Sequence, residues 1–241
     1  MRYAAVFVLG LAIGTATTLA VRVQTRTRAF VHHYIDSDRE RPFRASFLGV
    51  PAWQTPTDLW LMQELIYAYK PDLIIETGTA RGGTALFYAA VLAQAHPTGR
   101  VITIDQAPKQ SVEARRHLLF QQHVEAWTGD VLDPSILTRL KKRARGKRVI
   151  VALDSLHNDR HVLAELKEYS KLVKPGGYLV VQDTVIDQRS DWVQTYAPGG
   201  AAGPALAVQR FLRDNPSFRD TELEERYLLS FHPGGYLLRT E

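Results

Sequence analysis

The sequence predicts an α/β domain built on a mostly parallel, seven-stranded sheet with helices on both faces. Three observations carry that prediction. Short apolar runs suited to buried strands recur at Leu73–Ile75, Val101–Asp105, Val124–Trp127, Arg148–Asp154 and Tyr178–Asp183. Segments of helical spacing separate them, the alternation expected of parallel strands joined by crossover helices. Four of the runs deliver a carboxylate at or near their ends, Glu76, Asp105, Asp154 and Asp183. Parallel sheets bind ligands outside the carboxyl ends of their strands, so these four should converge on one crevice.

At 241 residues and 45% hydrophobic content the chain can bury one good-sized core. The expected organisation is a membrane anchor or signal segment over residues 1–22, a linker over 23–46 and one catalytic domain over 47–241. With no cysteine, disulfides, thiolate metal sites and a cysteine nucleophile are excluded. The formal charge of +5 gathers partly in Arg22–Arg28 and Lys141–Arg148. Neither run is interleaved with aromatics, so no nucleic-acid partner is expected.

Tyr3–Val21 is uncharged and mostly apolar, long enough to cross about 30 Å of hydrocarbon at ~1.5 Å per residue. Arg22, Arg26 and Arg28 follow it, which favours a single-pass anchor with the domain on the cytoplasmic side. The competing outcome is cleavage after Ala20 and export. Thr25–Arg44 is polar and arginine-rich, and Phe47–Pro56 is irregular. A helix is expected from Pro56 or Thr57 to just before Pro71, with Leu61, Leu65, Ile66 and Tyr69 on its apolar face.

The next segment organises the rest: Asp72-Leu-Ile-Ile-Glu-Thr-Gly-Thr-Ala-Arg-Gly-Gly-Thr84. It reads as a strand, a tight turn and the start of a helix over Thr84–Gln94. Glycines allow positive φ and close approach of a ligand, and the helix start offers unpaired N–H groups. A dinucleotide fingerprint needs G-x-G-x-x-G, but Ala80 stands at the middle glycine and Glu76 precedes the turn. The pattern Glu76-x-Gly78-x-x-x-Gly82 instead resembles the first motif of Rossmann-like S-adenosylmethionine-dependent methyltransferases. Glu76, Gly78 and Gly82 are therefore candidate cofactor contacts, the alternative being a turn that merely needs glycine.

Asp105 ends the second strand, where an acidic residue reaches the ribose hydroxyls of a bound nucleoside. Ser111–His123 has helical spacing. Asp130, after the third strand, is a candidate adenine contact or an ordinary turn residue. Pro134–Arg145 is a basic helix. Asp187–Pro204, with Trp192, Tyr196 and a glycine-rich end, reads as a mobile lid over the acceptor or as a surface loop. Ala205–Arg213 reads as a helix, and Arg226–Phe231 with Tyr236–Arg239 as a terminal hairpin.

Taken together, Gln54-Thr-Pro-x-Asp58, Gln63-Glu64, Lys70-Pro71, Ile75-Glu-Thr-Gly-x-Ala-x-Gly-Gly83, Ile104-Asp105, Gly129-Asp130, Leu153-Asp-Ser-x-His157, His161-Val-Leu-x-Glu-Leu166, Gln182-Asp-Thr184 and Gly203-Pro204 resemble the cephalosporin hydroxylase family. The resemblance spans roughly Phe47 to Arg239. Despite its name, that family is similar to S-adenosylmethionine-dependent O-methyltransferases, sugar methyltransferases included. It implies a class I methyltransferase fold, S-adenosylmethionine as cofactor and, in some members, a magnesium ion. The implied metal ligands fall on Asp154, Gln182 and Asp183. Gln182 departs from the usual Glu and removes one negative charge.

Magnesium takes oxygen ligands, and an acceptor hydroxyl could complete its shell. The reaction then needs a base, and His157, three residues after Asp154, has a suitable side chain. Its alternative is a structural histidine bonded to Asp154 or Asp183. The function expected is methyl transfer to a hydroxyl of a small metabolite or sugar, with oligomerisation left open. Two alternatives stand beside it. A hydroxylase with a ferrous facial triad needs two histidines and a carboxylate, and only His157-x-Asp159 approximates part of that set. A membrane-tethered, non-catalytic cofactor-binding protein is the other.

Overall fold

A computed structural model describes residues 31–34, 36, 45–107 and 109–241. The chain divides into two compact units, Met1–Arg41 and Pro42–Glu241. In the first, residues 31–34 and 36 are helical. The expected Tyr3–Val21 anchor lies outside the described residues, and among those described no helix is long and apolar enough to cross a membrane.

The second unit opens with a small hairpin, β1 (Ser46–Phe47) and β2 (Val50–Pro51). Helix α1 (Pro56–Tyr69) follows; Thr55 caps it by accepting the Asp58 N–H at 3.1 Å, and Pro56 occupies the first turn. It stops at Lys70, whose backbone turns left-handed (φ 50°) immediately before Pro71. The sheet is then laid down by β3 (Leu73–Thr77), α2 (Gly83–Ala95), β4 (Arg100–Asp105), α3 (Val112–Arg116), α4 (Leu118–His123), β5 (Val124–Thr128), α5 (Pro134–Ala144), β6 (Val149–Leu153), α6 (Asp159–Tyr169) and β7 (Tyr178–Val181). Helices α7 (Ser190–Tyr196) and α8 (Pro204–Asp214) precede β8 (Phe218–Asp220) and β9 (Tyr236–Arg239).

The seven strands lie in the order β5-β4-β3-β6-β7-β9-β8, the first five mutually parallel and β9 antiparallel to both of its neighbours, β7 and β8. Strand order reverses between β3 and β6, so a crevice opens at their carboxyl ends. Strand residues alternate between two cores. Leu73, Ile75, Val149 and Val151 pack with α5, α6 and α8, whereas Ile74, Ile150, Ala152 and Val180 pack with α1 and α2. All five residues of β3 and of β6 are buried, which is why those runs show no polar alternation in the sequence. Each fully buried aliphatic side chain contributes roughly 1.5–3 kcal/mol.

Three sequence expectations are corrected. The single helix expected over Ser111–His123 is broken at His117, which takes extended backbone (φ −72°, ψ 128°) and caps α4 through Nδ1 to the Leu119 N–H. The partner of β9 is Phe218–Asp220, not Arg226–Phe231. Residues Ser230 and Phe231 instead bond to the Asp58 carboxylate at the start of α1, at 2.5 and 2.9 Å. Asp187–Pro204 is not an open loop. It contains α7, Trp192 is buried, and Asp187 accepts the Gly203 and Ala205 N–H groups, each at 2.8 Å.

Candidate active site

The glycine turn sits at the point of strand reversal. Gly78 has φ 84°, and a Cβ there would lie 2.0 Å from the Asp154 carbonyl oxygen, so the ends of β3 and β6 meet only around a glycine. Gly82 caps α2 with φ 88°. Between them Ala80 takes φ 43°, and its N–H donates to Asp105 Oδ2 at 3.2 Å. That bond holds the Asp105 carboxylate against the turn, where Lys109 Nζ also approaches Oδ1 at 3.2 Å.

Glu76 points into the sheet instead of standing free beside the turn. It is 1% exposed and accepts a hydrogen bond from Thr103 Oγ1 at 2.6 Å. Burial pushes its pKa up to about 8, so the group is a neutral acid at neutral pH. Its Oε1 has no hydrogen-bond partner among the described residues. Asp130 is exposed and accepts the Leu132 N–H at 2.9 Å, the bond expected of its turn-residue alternative.

Across the crevice, Asp154, His157 and Asp183 offer one ligand atom each, all within 4.8 Å of one another. His157 Nε2 stands 3.5 Å from Asp183 Oδ2 and 4.0 Å from Asp154 Oδ1. Their positions follow from the strands: the Asp154 N–H donates to the Thr77 carbonyl at 3.0 Å just beyond β6, and Asp183 lies two residues past β7 in left-handed backbone (φ 57°). Burial and then the neighbouring Asp183 charge raise the Asp154 pKa well above the usual carboxylate range. Among the described residues neither aspartate is paired with Lys or Arg. Such a pair of crowded carboxylates is suited to a divalent cation.

Gln182 is placed differently from its neighbours. Its side chain is buried; its Oε1 accepts a short hydrogen bond from Gln54 Nε2, and its own Nε2 donates to Tyr88 Oη at 3.1 Å. His161 bonds Ser155 Oγ at 3.0 Å and lies 3.6 Å from the fully buried Glu165. Burial pushes Glu165 up to about 8 and His161 down, so this contact joins two neutral groups at neutral pH. Asp159 turns away to Arg210, 2.9 Å distant, which separates the His157-x-Asp159 pair. The cation cluster thus holds one histidine and two carboxylates, not the two histidines of a ferrous triad.

Gln54, Tyr88 and His232 were not singled out as site residues from sequence. Gln54 belongs to the Gln-Thr-Pro-x-Asp motif, which was the available signal. His232 stands directly before Pro-Gly-Gly, and Tyr88 lies in an apolar helix, so neither carries a local signal.

Comparison with known proteins adds three findings. The family model described as Rhamnosyl O-methyltransferase/CmcI matches residues 42–240. A rhamnosyl O-methyltransferase of Mycobacterium tuberculosis is 32% identical over 201 residues, covering 81% of this chain and 78% of that protein; one of Mycobacterium leprae is 30% identical, covering 80% and 82%. Among solved structures, CmcI with Mg and SAM aligns at TM-score 0.62 and 17% identity over 83% of this chain and 78% of that one. The O-methyltransferase TomG from Streptomyces achromogenes with SAM aligns at 0.53 and 22% over 84% and 86%. At these identities the structural matches establish the fold.

Proposed function

The chain belongs to the Rhamnosyl O-methyltransferase/CmcI family and is an S-adenosylmethionine-dependent O-methyltransferase, and on that premise we propose that its acceptor is a sugar hydroxyl. The sugar reading rests on the curated relatives, all of them rhamnosyl O-methyltransferases. The observation that carries the site assignment is the gathering of Asp154, His157 and Asp183 next to the glycine turn, with Gly78 directly against Asp154.

In this proposal the turn residues Gly78 and Gly82 admit the cofactor, Asp105 accepts from its ribose hydroxyls, and Glu76 and Asp130 flank it. His157 takes the acceptor's proton on Nε2 as the oxygen forms its bond to the methyl carbon. The carbon–sulfur bond breaks at the same time, and S-adenosylhomocysteine leaves. Asp154 and Asp183 offset the positive charge that the imidazole then carries. The same two carboxylates would hold magnesium, while Gln182 Oε1, the third ligand that the resemblance implies, is engaged by Gln54 Nε2. When bound, the ion supplies charge that orients the acceptor hydroxyl and eases loss of its proton.

For residues 1–22 the proposal is an anchor that keeps the domain at the cytoplasmic face, supported by the apolar Tyr3–Val21 run and the arginines after it. The domain limits 23–46 and 47–241 are proposed on the same sequence grounds.

The test is product identification. Purified protein is incubated with labelled S-adenosylmethionine and, separately, rhamnosyl glycosides, other glycosides and simple phenols. Label transferred to a sugar hydroxyl supports the proposal; transfer to phenols alone contradicts it.

A further inference from the structure

We propose that Gln54 and His232 form a buried positioning relay that fixes which oxygens Asp154 and Asp183 present to the site. The proposal rests on the divalent-cation reading of that pair. Both relay residues are nearly inaccessible, 4% and 1% exposed. Neither lies on the strands that carry the aspartates: Gln54 precedes α1 and His232 precedes β9.

The direction of every bond in the relay is fixed by its ends. The Asp183 N–H can only donate, and it meets His232 Nδ1 at 2.9 Å, so that nitrogen carries no proton. The ring proton is therefore on Nε2, which faces Gln54 Oε1 at 3.0 Å. The Gln54 amide group then has both its hydrogens free to donate. One goes to Asp154 Oδ2 at 3.2 Å and the other to Gln182 Oε1. The result is an unbroken line from the Asp183 main chain to the Asp154 carboxylate.

Its consequence for the site is geometric. With Oδ2 tied to Gln54, Asp154 is left with Oδ1 towards His157. With its N–H tied to His232, Asp183 is held in the left-handed backbone from which Oδ2 reaches His157. The relay is itself anchored, since the His232 N–H donates to Ser230 Oγ at 2.8 Å and Ser230 donates to Asp58. Hydrogen-bonded partners of ligating carboxylates commonly govern metal affinity by factors of about 10–100. The relay assigns that task to two residues some 180 positions apart in the chain.

The experiment measures Mn2+ binding to the full-length protein by electron paramagnetic resonance, together with S-adenosylhomocysteine binding by calorimetry. Gln54→Met should weaken Mn2+ about tenfold or more while S-adenosylhomocysteine affinity stays within about twofold. His232→Gln, whose amide N–H can stand where Nε2–H does, should retain more Mn2+ affinity than His232→Leu; this pair decides the matter if Gln54→Met does not fold. Unchanged Mn2+ affinity in Gln54→Met, or equal Mn2+ affinity in His232→Gln and His232→Leu, would overturn the relay alone. Failure of the unaltered protein to bind Mn2+ would overturn the cation reading and the relay with it.

Discussion

Gly78 and Asp154 touch: a methyl group on residue 78 would sit 2.0 Å from the Asp154 carbonyl oxygen, well inside van der Waals contact. The contact joins the glycine turn after β3 to the segment after β6 that carries Asp154 and His157. Gly78→Ala must push the two apart and must also hold φ near 84° with a side chain. We expect a loss of stability of roughly 1–3 kcal/mol from the backbone conformation alone, with S-adenosylmethionine binding reduced as well. Denaturant unfolding and calorimetry on the same sample check both. A variant with unchanged stability and binding would show that the turn has room the structure denies.

Asp105 is held against the turn by the Ala80 N–H. A ribose hydroxyl donating to its carboxylate should contribute about 1.5–3 kcal/mol, so Asp105→Ala should weaken both S-adenosylmethionine and S-adenosylhomocysteine by about tenfold or more. Because the bond involves the nucleoside, the two losses should match. Equal binding by variant and unaltered protein would remove Asp105 from the cofactor site.

Glu165 makes stability depend on pH. In the unfolded chain it ionises near its ordinary value of 4.5, whereas in the fold it keeps its proton up to about 8. Its raised folded pKa means that its contribution is fully present below the unfolded value and is lost as pH rises through about 8. Glu165→Gln should therefore change stability little near pH 4 and stabilise by on the order of a few kcal/mol above pH 8. Denaturant unfolding at the two pH values decides it; a difference that does not vary with pH contradicts the assignment.

The fold was legible because its strands are buried on both faces. Ile74, Ile75, Val149 and Val151 leave no polar alternation to confuse a strand with an amphipathic helix. The carboxylates at or beyond the strand ends were legible from topology, since parallel order alone brings Asp105, Asp154 and Asp183 to one edge, whereas Glu76, inside β3, is turned into the sheet. What escaped was set by contacts distant in sequence. The segment around Ser230 lies on Asp58 and not in the sheet, and nothing in its own residues announces that pairing. The raised pKa of Glu76 follows from burial inside the sheet between β4 and β6, against which the Thr103 hydroxyl works, and that setting is revealed only by the strand register. Helix α4 begins at His117 because an imidazole caps it, an uncommon choice that helical spacing over Ser111–His123 conceals.

The proposed anchor predicts a distribution as well as a chemistry. Arg22, Arg26 and Arg28 follow the apolar run and favour retention on the cytoplasmic side. Protein expressed with its full N-terminal segment should sediment with membranes and resist protease until the cytoplasmic side is opened. Recovery as a soluble exported chain beginning near Val21 would establish cleavage instead.

The most direct test of the whole account is single-turnover methyl transfer from labelled S-adenosylmethionine to a rhamnosyl glycoside, compared between the unaltered protein and His157→Ala. A positioned base contributes about 10²–10⁴-fold to such a step, so the variant's transfer rate should fall by that order while its cofactor affinity stays unchanged. Transfer by His157→Ala within a few-fold of the unaltered rate would contradict the assignment of proton removal to the Asp154–His157–Asp183 site.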